Sequence, residues 1–326
     1  MNKRGALIYL FLGIWLLVPG CQKHPDPDSY LEVRRAFQDP PAEYRSAPLW
    51  VWNDRVTKEA IETQLADFRS KGIGGVFIHP RPGLITPYLS EEWLELCRHA
   101  VMTGKSLGMK VWIYDENSYP SGFAGGIVPA EMPDSVGLGL RLRRAKRLPD
   151  TFDEPPIVVL RKTDSGFEDI TSSAIQYGAA AGLREGDYFI FEIQRAKPSP
   201  WFGGFSYVDL MRREVTEKFL EVTLDAYNRV LGEEFGATIP GSFQDEAHIL
   251  PAGGPDTVNF TPRLFEVFQE KWSYDPRPHL PSLFEEFGDW RAARHNFYAT
   301  LLDLFIEGWA KPYYEYCEAN HLQLTG

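Results

Sequence analysis

The 326 residues suffice for one large domain or two ordinary ones, and 44% are hydrophobic, which supports a buried core and excludes a disordered chain. Acidic residues outnumber basic ones by 45 to 34, and the net charge of −11 argues against nucleic acid as a partner, because such a partner requires a basic surface. Aromatic residues reach 14%, a level common where sugar rings are stacked, and three cysteines are too few for a disulfide framework.

The N-terminus has the pattern of a targeting signal. Lys3 and Arg4 precede an apolar run over 6–18, which is too short to span a bilayer comfortably. The run ends at VPGC, which resembles a bacterial lipoprotein signal with Cys21 as the lipidated residue; an ordinary signal peptide is the alternative. We expect a signal peptide at 1–21 and an exported protein, periplasmic or at the cell surface, attached to the membrane through its lipid anchor. The polar, proline-rich segment 22–45 is predicted to be a tether.

Strand and helix patterns alternate in the next part of the chain. Apolar runs predict strands at 47–53, 74–79 and 110–114, and helices that begin after Thr57 and Ser90 separate them. The strand starts lie about 27 and 36 residues apart. This spacing is typical of right-handed βαβ units and a parallel sheet.

A second pattern interrupts this alternation. Short β-like runs over 127–205 predict an inserted β-rich subdomain, and the βα pattern then continues over 206–326. The later predicted elements are a helix at 212–231, a strand at 237–243, helices at 264–272 and 290–318, and the start of a fifth strand at 321–326. The predicted fold class is therefore α/β, the N-terminal part of a TIM-type (β/α)8 barrel formed by 46–126 and 206–326 and truncated at about the fifth strand. An open doubly wound sheet is the alternative, but its glycine-rich phosphate loop after the first strand is missing.

Polar side chains follow every predicted strand. In a parallel barrel the active site lies at the C-terminal ends of the strands. The candidate substrate-binding residues at these ends are Trp52, Asn53, His79, Arg81, Asp115, Glu116, Asn117, Tyr119, Asp245 and His248. Such a set suits carboxylate chemistry on a polyhydroxylated substrate, with the rings of Trp52 and Tyr119 as stacking surfaces.

Glu246 is the candidate general acid. A carboxylic acid in a partly apolar pocket can hold its proton near neutral pH and give it to a leaving oxygen. Capping of a helix or pairing with an arginine is the structural alternative, and only one of Asp245 and Glu246 is expected to face the pocket. The pair Asp115 and Glu116 could bind sugar hydroxyls, hold a cation or orient another acid, or be solvated loop acids. No HExxH, CxxC or GxSxG motif is present, so a zinc protease or serine hydrolase lacks support.

Three segments together resemble glycoside hydrolase family 106, the bacterial α-L-rhamnosidases and their relatives. They are PLWVWN with GIGGVFIHPRPGL, then YLSEEWLELCRHA with GMKVWIYDENSYPSGFAGG, and YVDLMRREVTEKFLEVTLDAYNRVLGEEFG with FQDEAHILP. The resemblance implies a (β/α)8 catalytic domain in a larger secreted or surface-anchored enzyme that removes sugars from polysaccharides. It further implies an inverting mechanism with two glutamates and a dependence on calcium. Glu246 matches the fourth-strand acid of many such barrels, and the second carboxylate is expected from a later strand.

The leading functional hypothesis is a glycoside hydrolase with a carbohydrate substrate. The alternatives are a non-catalytic glycan-binding lipoprotein on the cell surface, a retaining β-glycosidase of another barrel family, and an inactive truncated fragment. Carboxylate separation distinguishes an inverting enzyme, at about 6.5–9.5 Å, from a retaining one, at about 5–5.5 Å.

Overall fold

The computed structural model describes residues 30–181, 185–249 and 253–326. The predicted signal peptide, the lipidation site Cys21 and the first part of the predicted tether lie outside these residues. Contacts divide the chain into two compact units, 1–41 and 42–326. The first contains the helix α1 (Tyr30–Gln38), which falls within the predicted tether. Among the described residues, no helix combines the length and the apolar character needed to cross a membrane.

A five-stranded parallel sheet forms the first part of the larger unit. Its strands are β1 (Leu49–Trp52), β2 (Gly75–Pro80), β3 (Lys110–Tyr114), β8 (Gly241–Phe243) and β10 (Gln323–Thr325), in the order β1-β2-β3-β8-β10. Their register pairs Leu49 with Phe77, Phe77 with Trp112, and Tyr114 with Phe243. The sheet confirms the predicted parallel pairing of successive βα units.

Helices connect these strands and cover one face of the sheet. They are α2 (Lys58–Ser70), α3 (Glu91–Ser106), the short α4 (Ile127–Glu131), α6 (Arg213–Val222), α7 (Leu224–Leu231) and α10 (Lys311–Ala319). The hydroxyl groups of Thr57 and Ser90 accept hydrogen bonds from the first turns of α2 and α3, as their positions in the sequence predict. The predicted helix over 212–231 is broken at Thr223, whose backbone is non-helical and whose hydroxyl and backbone N–H both donate to the Phe219 carbonyl.

An antiparallel sheet forms the second part. Its strands are β4 (Leu138–Ala145), β5 (Val158–Thr163), β6 (Gly166–Asp169), β7 (Tyr188–Arg195) and β9 (Thr257–Phe260), in the order β6-β5-β7-β4-β9. The helix α5 (Thr171–Tyr177) follows β6, and α8 (Leu264–Trp272) and α9 (Trp290–Phe305) supply Phe268 and Phe297 to the core beside this sheet. One of its strands, β9, lies outside the range 127–205 that was predicted to form the β-rich subdomain.

The two faces of the parallel sheet differ in what covers them. Trp50, Val76 and Val111 alternate onto the face that packs against α2 and α3. Leu49 and Val51 lie on the opposite face and are 46% and 47% exposed. On that same open face Phe77 stacks on Trp112, with ring centroids 5.1 Å apart, and lies 5.5 Å from Phe243. The described chain is thus a mixed α/β protein whose parallel sheet has a row of large apolar side chains without helical cover.

Candidate functional site

The carboxyl ends of the parallel strands meet at one edge of the sheet. Backbone hydrogen bonds link the segments that follow them: Arg81 donates to Trp52, Asp115 donates to Phe243, and Ser121 donates to Asp245. The sequence-predicted site residues that follow β1, β2, β3 and β8 therefore lie along this edge. The strand alternation then decides which side chains turn to the open face and which turn to the helices.

His79, Tyr114 and Asp245 form the cluster on the open face. The Tyr114 hydroxyl is 2.5 Å from Asp245 Oδ2 and 2.7 Å from the Ser118 carbonyl oxygen. The His79 ring lies against the Tyr114 ring, with centroids 3.9 Å apart. Although His79 is only 2% exposed, neither imidazole nitrogen has a hydrogen-bond partner within the described part of the chain. Tyr114 is also fully buried, so the two imidazole nitrogens are buried polar atoms that lack a partner within the described residues at this edge of the sheet.

Burial sets the protonation states of this cluster. Burial, followed by the charge of Arg81, lowers the pKa of His79 to about 4, whereas Asp245 acts in the opposite direction. Burial, followed by the hydrogen bond to Asp245, raises the pKa of Tyr114 well above its usual value. At neutral pH the imidazole of His79 and the phenol of Tyr114 are consequently both neutral, and neutral groups of this kind form hydrogen bonds with hydroxyl groups.

An aromatic cleft lies beside the cluster. The Arg81 guanidinium lies over the Tyr119 ring, 5.1 Å from its centre, and the Trp201 ring meets Tyr119 edge to face at 5.2 Å. The Trp201 indole nitrogen donates to the Tyr119 carbonyl oxygen at 2.5 Å. The cleft has a volume of about 360 Å³, and Asn117 and Ser118 also line it. Because Trp201 is 41% exposed, its ring is an accessible platform for a flat apolar surface such as that of a sugar ring.

The structure corrects the expectation for Trp52. Its ring is 2% exposed and packs edge to face against Trp50 at 5.1 Å and Trp93 at 5.2 Å. Trp52 lies on the helix-covered face, since its neighbour Val51 lies on the open face. Its indole nitrogen has no partner among the described residues, but its ring cannot stack on a substrate.

Glu116 holds its own loop together instead of facing a substrate. The carboxylate accepts hydrogen bonds from five backbone N–H groups, at 2.5–3.1 Å, of Asn117, Gly122, Phe123, Ala124 and Gly125. Burial, followed by the charge of Asp115, raises the pKa of Glu116 to about 8, and the backbone donors act against this rise. Both carboxyl oxygens of this buried side chain are therefore engaged by the backbone of its own loop. The structure thus gives Glu116 a role within its own loop, and its predicted contact with a substrate stays a prediction.

Asp115 is enclosed in the same way on the helix side of the sheet. It is fully buried; Ser121 donates to Oδ1 at 2.6 Å, and the Tyr313 hydroxyl on α10 donates to Oδ2 at 2.8 Å. Burial raises its pKa to about 7, although these two donors lower it. The Ser121 hydroxyl also accepts from the Asp245 backbone N–H at 2.8 Å. Asp115 thus fixes the position of Asp245 instead of contacting a substrate.

Glu246 lies in the loop after β8 and is exposed. This exposure differs from the partly apolar surroundings that were predicted for it. Its backbone has φ of 50°, in the left-handed region that a glutamate rarely adopts, and its carbonyl oxygen contacts the His248 ring nitrogen. Of the adjacent acids, Asp245 points into the cluster. The role of Glu246 as general acid stays a prediction.

The other predicted residues lie at the margins of the site. Asn53 is exposed, and its carbonyl oxygen approaches Gly83 so closely that a Cβ there would lie 2.5 Å away. His248 is half-buried, and its ring lies 5.9 Å from the Tyr207 ring. Asn117, Arg81 and Tyr119 are half-buried at the cleft.

Sequence reasoning missed Tyr114, Ser121, Trp201 and Tyr313. Tyr114 could have been found from alternation, since it is two residues beyond Trp112 on the same strand. Trp201 carried a signal too, because a tryptophan between Pro200 and a Gly-Gly pair is unsuited to a regular core strand. Nothing in the sequence joins Tyr313 to Asp115 across 198 positions.

The described residues offer no evident place for the calcium ion that the resemblance implies. Within 30–181, 185–249 and 253–326, no three His, Cys, Asp or Glu side chains are grouped so that they could hold a metal ion. The carboxylates of Asp115 and Glu116, which were candidates for holding a cation, are occupied by protein donors. These residues therefore do not fit a calcium site.

Comparison with known proteins reveals a likeness of fold. A rhamnosidase from Novosphingobium sp. PP1Y superimposes with a TM-score of 0.62 at 14% identity over 90% of this chain. No protein-family model matches, and no curated protein sequence matches. The aligned part is 46% of the rhamnosidase, so the chain spans about half the length of that neighbour. The fold is therefore like that of a rhamnosidase.

Proposed function

We propose that the protein is a glycoside hydrolase that cleaves glycosidic bonds of a polysaccharide or oligosaccharide by carboxylate acid–base catalysis. The observation that carries the proposal is the cluster of His79, Tyr114 and Asp245 beside the Trp201 cleft, at the carboxyl ends of parallel strands. Active sites of (β/α)8 enzymes occupy this position. The likeness of fold to a rhamnosidase supports the reaction class, and rhamnose is the sugar that we propose for it.

A complete (β/α)8 barrel is part of this proposal. The open face of the parallel sheet has Leu49, Val51, Phe77 and Trp112, large side chains of the kind that fill a barrel interior. The strand order β1-β2-β3-β8-β10 is that of five consecutive barrel strands. Further strands would cover this face and provide the second carboxylate that glycoside hydrolysis requires.

Each residue of the site has a proposed role. We assign the general acid to Glu246, and its left-handed backbone supports the assignment because strained residues concentrate at functional sites. Asp245, His79 and Tyr114 would bind and orient sugar hydroxyls. Trp201 would stack on a sugar ring.

The test is Glu246→Gln in the full-length protein. A general acid accelerates the reaction by about 10²–10⁴-fold, so the rate of turnover of rhamnose-containing glycans should fall by that factor. Turnover of a nitrophenyl glycoside should fall less, since its leaving group departs without a proton. Glu233→Gln is the matched control, because Glu233 is also exposed and precedes β8 at its other end. Equal rates on natural glycans for the wild type and Glu246→Gln would refute the role.

A non-catalytic glycan-binding protein is the second candidate. It is favoured by the exposed position of Glu246 and by the internal hydrogen bonds that occupy Asp115 and Glu116. Binding of glycans without release of any sugar, in the wild-type full-length protein, would support it over the hydrolase.

We also propose that the protein is exported and anchored by a lipid at Cys21. The proposal rests on the apolar run 6–18 and the VPGC motif. Labelled palmitate should be incorporated into the wild type and not into Cys21→Ala. Equal labelling of both would contradict the anchor.

A further inference from the structure

Arg81 is a half-buried arginine with a buried, unpartnered side-chain nitrogen in the described part of the chain. Among the described residues it is the arginine with a buried side-chain nitrogen, Nη1, that has no hydrogen-bond partner. No acidic side chain of the described part lies within ion-pair distance of it, whereas Arg143, Arg144 and Arg212 each pair with carboxylates. A buried guanidinium nitrogen without an acceptor is costly, which is a reason to look for an acceptor from outside the chain.

The position of Arg81 fits a ligand-binding role. It lines the 360 Å³ cleft together with Trp201 and Asn117, and this volume is at the lower end of the range of about 300–1,000 Å³ for small-molecule sites. The Tyr119 ring fixes the guanidinium from one side. Its neighbour His79 is neutral at neutral pH and does not compete for an anion. The cleft therefore combines an accessible aromatic platform with one fixed cation.

We propose that this cleft binds an acidic sugar, with Trp201 against the ring and Arg81 paired to its carboxylate or sulfate group. The proposal rests on the proposed glycoside hydrolase function and specifies its substrate class as a rhamnose-containing glycan that also carries acidic sugars. A planar guanidinium matches a carboxylate in a way that a lysine does not. Because the chain itself carries a net charge of −11, attraction of an anionic glycan depends on this local cation and not on the overall charge.

The experiment measures binding by the full-length protein to three probes. These are trigalacturonate, the same trisaccharide with its carboxyl groups methyl-esterified, and a sulfated galacto-oligosaccharide of equal length. We expect the wild type to bind at least one charged probe about 10- to 100-fold more tightly than the ester, the range for a charge-assisted hydrogen bond. The first and third probes distinguish a carboxylate from a sulfate.

Variants separate the contribution of the Arg81 charge to binding from that of the Trp201 ring. Arg81→Gln should remove the preference for the charged probe, Arg81→Lys should retain only part of it, and Trp201→Ala should weaken charged and neutral probes alike. Arg229→Gln, an exposed arginine on α7, is the matched control and should bind as the wild type does. Equal affinity of the wild type for charged and esterified probes, or a preference that persists in Arg81→Gln, would overturn the proposal.

The two proposals fail in distinguishable ways. Hydrolysis of neutral glycosides with no Arg81-dependent preference would leave the hydrolase function standing and remove the acidic-sugar site. Arg81-dependent binding without sugar release from any glycan would do the reverse.

Discussion

At the residue scale, the position of a residue along its strand decides whether its side chain lies on the open face of the sheet. His79 and Tyr114 lie on the same face as Phe77 and Trp112, two positions earlier in each strand. Trp52 and Asp115 are one position out of this register, and both are buried towards the helices. All four side chains are buried, so a shift of one residue decides on which side of the sheet a side chain packs and not whether it is exposed.

His79 makes the stability of the protein depend on pH. Its pKa is about 4 in the folded chain, whereas the ordinary histidine value of 6.5 applies in the unfolded chain, so unfolding takes up a proton between these values. The stabilisation is fully present above about pH 6.5 and is lost as the pH falls towards 4. The contribution amounts to about 1–3 kcal/mol.

Urea unfolding at pH 7 and pH 5 measures this effect. The loss of unfolding free energy between the two pH values should be smaller in His79→Phe than in the wild type, because phenylalanine does not titrate. His295→Phe, at an exposed histidine of α9, should retain the wild-type dependence. The same pH dependence in His79→Phe would show that His79 does not cause it.

At the scale of elements, an irregular helical segment joins α9 to α10 and contacts the edge of the parallel sheet. Residues Ile306–Ala310 form a π-helical segment between α9 and α10, a feature frequent at functional sites. From it the Trp309 indole donates to the Gln244 side chain at 3.1 Å, and Tyr313 lies 2.9 Å from the Ser242 hydroxyl. The close approach of this segment to the backbone of Leu210 and Met211 depends on Gly308.

Gly308→Ala should destabilise the protein. A Cβ there would lie 2.6 Å from the Leu210 carbonyl oxygen and from the Met211 carbonyl carbon, and backbone atoms cannot yield as side chains do. The strain of about 1–3 kcal/mol exceeds the gain of up to about 1 kcal/mol from helix propensity. Thermal or urea unfolding measures the difference. Gly254→Ala, where no atom lies within 4 Å of the added Cβ, should change stability by less than about 0.5 kcal/mol, and the same small change for Gly308→Ala would contradict the argument.

The order of elements around the parallel sheet could be predicted, because each strand is a short apolar run and the first two helices, α2 and α3, begin after capping residues. The site could be predicted as a location but only partly as a set of side chains. Local sequence patterns do not predict that Glu116 accepts hydrogen bonds from its own loop as far as Gly125. They also do not predict that Tyr313 contacts Asp115 from a helix distant in sequence. The strand β9 was also not predicted, since its pairing with β4 depends on contacts between residues distant in sequence.

At the scale of the whole molecule, the open face of the parallel sheet exposes large apolar side chains to solvent. Leu49 and Val51 are about half exposed on the edge strand β1, and exposed apolar strands of this kind promote association. The 326-residue chain on its own should therefore bind a hydrophobic dye and associate as its concentration rises.

Charge on this face should suppress that association. The double variant Leu49→Lys and Val51→Lys should remain monomeric at concentrations where the wild-type chain associates, as measured by light scattering. Leu302→Lys changes a leucine that is 56% exposed on α9 and should leave association unchanged. A wild-type chain that stays monomeric and binds no dye would show that this face needs no cover.

The loop held by Glu116 has a consequence for how tightly a ligand can bind. Successive N–H groups that converge on one point form a nest of the kind that captures phosphates in other proteins, but here the Glu116 carboxyl group of the chain itself occupies the nest. The entropy of ordering Asn117, Ser118 and Tyr119 is consequently lost when the protein folds and not when a ligand arrives. Preorganisation of this kind leaves a larger share of the contact energy for affinity.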